Sequence, residues 1–159
     1  MQAEFEKLGE LIKDIRIAVV TTVEPDGTLH GRPLAALAYE NDGQLWFYTA
    51  IDSAKVSEVA NDVRASVAFA DTDEDKYVVV SGTADIVNDR QRIHQLWTPF
   101  AKPWFPDGPD DPNLALLRVQ AERAEYWTSA GKAAYLFGVA KAAVTGKRTQ
   151  LGENRKLTM

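Results

Sequence analysis

The sequence predicts an antiparallel β-barrel or α+β fold with peripheral helices, and three observations carry that prediction. Stretches rich in β-branched residues are joined by Gly- and Asp-containing turns too short for the crossovers that parallel strands need. Helical periodicity is confined to short insertions between strands, rather than alternating with them as in a doubly wound sheet. The chain has 159 residues, 45% of them hydrophobic, which suits one domain with its own core and is too short for two comfortable ones.

Taken in order, residues 2–14 form an amphipathic pattern, with Phe5, Leu8, Leu11, Ile12 and Ile15 on one stripe. A strand over Ile15 to Val23 ends at Glu24-Pro25-Asp26-Gly27, a turn with Pro second and Gly fourth. Thr28 to Tyr39 returns as a second strand, and Asn41-Asp42-Gly43 turns into a third over Leu45 to Thr49. Pro33 removes a ladder donor, so an edge position or a bulge is expected there. Asp52-Ser53 then opens a short helix to about Asn61, with Val56, Val59, Ala60 and Val63 expected on its buried side. Ala65 to Ala70 and Tyr77 to Val87 are further strands around the acidic turn 71–75, and a helix over 89–98 buries Ile93, Leu96 and Trp97. Residues 99–112 read as an ordered loop in which Phe100, Trp104 and Phe105 need burial. Leu114 to Val119 and Ala124 to Thr128 resume the sheet, a last helix covers Ala133 to Val144, and 146–159 is a polar tail of the single domain 1–159.

Composition excludes several chemistries. Without cysteine there are no disulfides, thiol nucleophiles or thiolate-held metals. Two histidines, His30 and His94, stand far apart in sequence without metal-ligand spacing, so no protein-held metal is expected. A net charge of −5 argues against nucleic acid as a partner. No apolar run reaches membrane-spanning length, and Glu4, Glu6 and Lys7 stand where a secretory leader would be apolar; a cytoplasmic protein that does not enter the membrane is expected.

One constellation stands out. Arg32, Thr49, Ser53 and Lys55 are brought together by two adjacent strands and the start of the helix that follows. A guanidinium, two hydroxyls, an ammonium and free helix amides suit a phosphate monoester. The alternative is that Ser53 is only a helix cap while Arg32 and Lys55 are solvated surface charges. The aromatic group Trp97, Phe100, Trp104 and Phe105 beside Lys102 either seals the barrel or its interface, or places Trp104 near a bound ligand. His30, two residues before Arg32, shares its strand face.

Thr21-Thr22 with Asp26-Gly27, Gly31-Arg32-Pro33-Leu34, Leu45-Trp46-Phe47-Tyr48-Thr49 and Asp52-Ser53-x-Lys55-Val56 together resemble the FMN site of pyridoxamine 5'-phosphate oxidase-like proteins. Ser81-Gly82-Thr83-Ala84, Leu96-Trp97, Trp104-Phe105-Pro106-x-Gly108-x-Asp110-Asp111-Pro112 and Ala124-Glu125-Tyr126-Trp127 are similar to the bacterial general stress protein branch, as is Gly146-Lys147-Arg148. The resemblance implies an FMN-binding split β-barrel working as a homodimer with flavin between the protomers. Arg32 and Lys55 would hold the phosphate with Ser53 and Thr49. Backbone around Pro33-Leu34 and Phe47-Tyr48 would line the ring, and Trp104 of the second protomer would help close the site. Leu34 stands where this branch usually has Met, a near volume match.

The function implied is a flavoprotein oxidoreductase acting on an unknown small molecule. The alternatives are a non-catalytic flavin-binding, sensing or storage protein, or a split barrel using a deazaflavin or heme. A true pyridoxamine 5'-phosphate oxidase is disfavoured, because residues 146–159 hold Lys147, Arg148, Arg155 and Lys156 but no histidine for that enzyme's Arg-x-His element.

Overall fold

The computed structural model describes residues 1–129, 132–148 and 152–159. Its elements are α1 (Gln2–Ile12), β1 (Ile17–Val23), β2 (Leu29–Glu40), β3 (Gln44–Ala50), α2 (Ala54–Asn61), β4 (Arg64–Asp71), β5 (Lys76–Val87), α3 (Arg90–Leu96), β6 (Leu114–Ser129), α4 (Lys132–Thr145) and β7 (Gly152–Thr158). Every strand pairing is antiparallel. The order β3-β2-β1-β4-β5-β6 closes through β3–β6 into a six-stranded barrel, and β7 extends the free edge of β6. Closure removes exposed edges that would otherwise pair with other chains.

Period-two alternation builds the interior. Ala18, Val20 and Thr22 of β1 point inward while Ile17 and Val19 face out. Val67 and Phe69 of β4, Val78 and Val80 of β5, and Leu117 and Val119 of β6 fill the same core. The apolar stripe of α1 closes the barrel with Leu8, Leu11 and Ile12. β3 is buried on both sides. Leu45 and Phe47 join the main core, while Trp46 packs with Ile93, Phe105 and Leu116 in a second cluster under α3.

Pro33 is accommodated as expected. It pairs with Val19 of β1, whereas β2–β3 pairing begins only at Ala36, so the missing donor lies on an unladdered edge. A register shift follows between Ala36 and Ala38.

Several expectations are corrected. The two extended segments beginning at Leu114 and Ala124 are one strand. Its register against β5 jumps from Ser81↔Arg123 to Gly82↔Ala121, leaving Glu122 as the extra residue of a bulge. The polar tail contains β7, whose GENRKLT sequence carries no apolar alternation and is held by its ladder with Arg123–Ser129. Val59 is buried as expected, but Ala60 and Val63 are exposed, because α2 ends at Asn61 and its inward face carries Glu58. In the 99–112 loop Phe105 is buried, but Phe100 is 87% and Trp104 74% exposed.

Candidate functional site

The site forms where β1 and β2 meet the first two turns of α2. Residues His30, Arg32 and Leu34 alternate toward the protein, and Leu29, Gly31, Pro33 and Ala35 alternate away. The inward face therefore delivers a histidine and an arginine beneath a helix that begins at Ser53. Helical spacing places Lys55, Glu58 and Val59 on the side of α2 that meets the barrel.

Ser53 is the N-cap residue of α2 by position, yet its side chain does not cap the helix. Its Oγ lies 3.1 Å from the Thr49 hydroxyl and accepts from Lys55 Nζ at 3.1 Å. Thr49 is buried at the end of β3, opposite Ala115 of β6. Burial pushes the Lys55 ammonium below the ordinary lysine range, and the nearby Arg32 charge adds to this, against Glu58 and Asp52. Two hydroxyls, two cations and an uncapped helix start thus converge. A donor set of this kind can hold an anion such as a phosphate monoester.

Beside this cluster lies a buried carboxylate. Glu58 is only 4% exposed. Its Oε2 accepts from Arg32 Nη2 at 2.8 Å and from the Thr22 hydroxyl, while Oε1 lies 2.9 Å from His30 Nδ1. Arg32 Nη1 also donates to Thr22 Oγ1 at 2.7 Å. Burial pushes the Glu58 carboxyl up, but the hydrogen bonds from Thr22, His30 and Arg32 with the Arg32 charge outweigh it and hold its pKa at about 2. Glu58 is an anion in the fold.

Glu24, His30 and Glu58 have ligand atoms within 4.8 Å of one another, the one such cluster among the described residues. The Arg32 guanidinium bonded to the same carboxylate opposes a second cation there, so the cluster reads as a hydrogen-bonded support.

The family model described as pyridoxamine 5'-phosphate oxidase-like matches residues 3–150. The chain belongs to that family. General stress protein 26 of Bacillus subtilis is 27% identical across 74% of this chain and 83% of its own length. Protein bli-3 of Neurospora crassa is 28% identical across 99% of this chain and 81% of its own. The general stress FMN/FAD binding protein of Xanthomonas citri superposes with a TM-score of 0.69 at 29% identity, covering 83% of this chain and 93% of that one. A candidate general stress protein 26 from Jannaschia sp. CCS1 gives 0.79 at 24% identity over the full length of both chains and supports the fold. The family's split barrel is therefore the architecture of this chain, and general stress proteins are among its relatives.

Among the residues singled out by sequence, Arg32, Thr49, Ser53 and Lys55 come together. Pro33 is exposed and Leu34 half-buried on adjoining β2 positions. Phe47 is sealed in the family barrel's core, and the Tyr48 hydroxyl donates to the Leu96 carbonyl at 2.7 Å while accepting from Thr98 N–H at 2.9 Å. Trp104 stands on the surface. Glu58 and the bridging part of Thr22 were not singled out by sequence reasoning. The available signal was the three-residue spacing from Lys55 to Glu58, which puts both on one helix face.

Proposed function

We propose that the protein binds FMN, with Arg32 and Lys55 holding the phosphate and Ser53 and Thr49 adding hydroxyl hydrogen bonds. The carrying observation is the Thr49–Ser53–Lys55 cluster beside Arg32, a donor set matched to a phosphate monoester. A bound flavin supplies hydride and electron chemistry, and the chain supplies binding, orientation and exclusion of water. On this reading Pro33-Leu34 and Phe47-Tyr48 line the ring, and the protein is an oxidoreductase acting on a small molecule in the cytoplasm.

The same proposal makes the working unit a homodimer. Its support is the outward face of β1 and β2, where Ile17, Val19 and Leu29 are exposed, and α4, which turns Leu136 and Phe137 to solvent. Trp104, exposed in one chain, is then available to a neighbouring protomer's flavin.

Replacing Arg32 and Lys55 together by Ala is expected to weaken FMN binding by about 3–6 kcal/mol, from about 1.5–3 per charge-assisted hydrogen bond. Fluorescence titration of wild type and double variant measures it. Equal affinities would remove the phosphate assignment.

A further inference from the structure

We infer that Thr22 and Glu58 are positioning residues that fix which edge of the Arg32 guanidinium faces the phosphate. This inference rests on the FMN reading above. A guanidinium has five N–H donors in one plane. Arg32 Nη1 points one at Thr22 Oγ1, 2.7 Å, with the Val20 carbonyl 3.5 Å away, and Nη2 points one at Glu58 Oε2, 2.8 Å. The Thr22 hydroxyl donates to the same Glu58 oxygen, closing a ring of three hydrogen bonds over the guanidinium tip.

With the second Nη1–H donated to the Val20 carbonyl, what remains is the Nε–H and the second Nη2–H, which lie side by side on one edge. That pair is the fork that binds two oxygens of a phosphate at once. Without the clamp, Arg32 could turn its tip to the ligand in other rotamers. His30 holds the second Glu58 oxygen from β2, so the carboxylate is fixed from both ends. Both clamp groups are buried, Thr22 completely, and each is held by its own element, β1 and α2. Neither is exposed enough to act as a surface ligand contact.

Thr22 offers the cleaner test, because Thr22→Val keeps shape and net charge while deleting the hydroxyl that joins Arg32 to Glu58. FMN and riboflavin affinities would be measured by flavin fluorescence for wild type, Thr22→Val and Thr22→Ser, with melting temperatures alongside. The expected result is about tenfold weaker FMN binding in Thr22→Val, equivalent to one good hydrogen bond, with riboflavin affinity unchanged and Thr22→Ser restored. Equal loss for FMN and riboflavin, or no loss for either, overturns the inference. If Thr22→Val does not fold, His30→Asn is the second variant. It frees Glu58 Oε1 and is expected to lower FMN affinity while sparing riboflavin; unchanged FMN affinity counts against the clamp. A wild-type protein that binds FMN no better than riboflavin removes the FMN reading itself, a result separate from these.

Discussion

Lys55 shares its cradle with Arg32, and that proximity has a consequence that titration can read. Burial and the Arg32 charge both favour the neutral amine, so in the free protein Lys55 loses its proton below the ordinary lysine range. FMN affinity is therefore expected to fall on the alkaline side before ordinary lysines titrate. Lys55→Arg, charged throughout, should hold its affinity to higher pH, as FMN titrations at stepped pH would show. Glu58 works in the opposite direction. Its carboxyl is held at about 2 against an ordinary value of 4.5, so the stability it contributes is complete above about pH 4.5 and lost as pH falls through about 2. Glu58→Gln is expected to be less stable near neutrality, with the two denaturation curves converging on acidification. At this scale the gathering of Thr49, Ser53 and Lys55 was legible, because the end of one strand and the start of the next helix bring them together. Glu58 was not, because a helical Glu three residues from a Lys reads as a solvated pair until the barrel's position beneath α2 is known.

The elements are fixed by a few local devices. Asp89 caps α3 by accepting from the Gln91 and Arg92 amides at 3.0 and 3.3 Å, and Asp89→Ala should cost about 1 kcal/mol in denaturant titration. Gly82 sits at the β5–β6 bulge, where an added Cβ would stand 1.9 Å from the Gln120 carbonyl oxygen. Backbone must move to admit it, so Gly82→Ala is expected to cost about 1–3 kcal/mol or more. The Ser81-Gly82 pair was visible in sequence, but nothing there says that β6 continues through its bulge as one strand. Residues 120–123 lack the apolar alternation that marks a strand, and their pairing comes from β5, β7 and the Gly43 carbonyl. β7 was illegible for the same reason. The strands with alternating Val, Ile and Leu were found within a few residues, since that pattern is itself the cause of their burial.

At the scale of the whole molecule, one chain leaves apolar surface unaccounted for. Ile17 and Val19 face outward at 55% and 44% exposure, and Phe100 and Trp104 stand out from their loop. A homodimer that buries the β1–β2 face predicts that Ile17→Glu with Val19→Glu shifts the protein to monomers in light scattering and weakens FMN binding with it. Aromatic residues in the 99–112 loop were expected to be covered, and the single chain covers Phe105 alone of the three. Sequence patterns distinguish apolar from polar faces but not self-covered from partner-covered ones. On the proposed FMN reading, the net charge of −5 also matters, because Arg32 and Lys55 would attract a phosphate against the field of the whole protein.

The most direct test of the phosphate cradle compares FMN with riboflavin on the wild-type protein by fluorescence quenching. The cradle predicts saturation near one FMN per chain and at least about a hundredfold weaker binding of riboflavin, from the two or more charge-assisted hydrogen bonds it cannot make. Equal affinity for the two, or no saturable FMN binding, would contradict it.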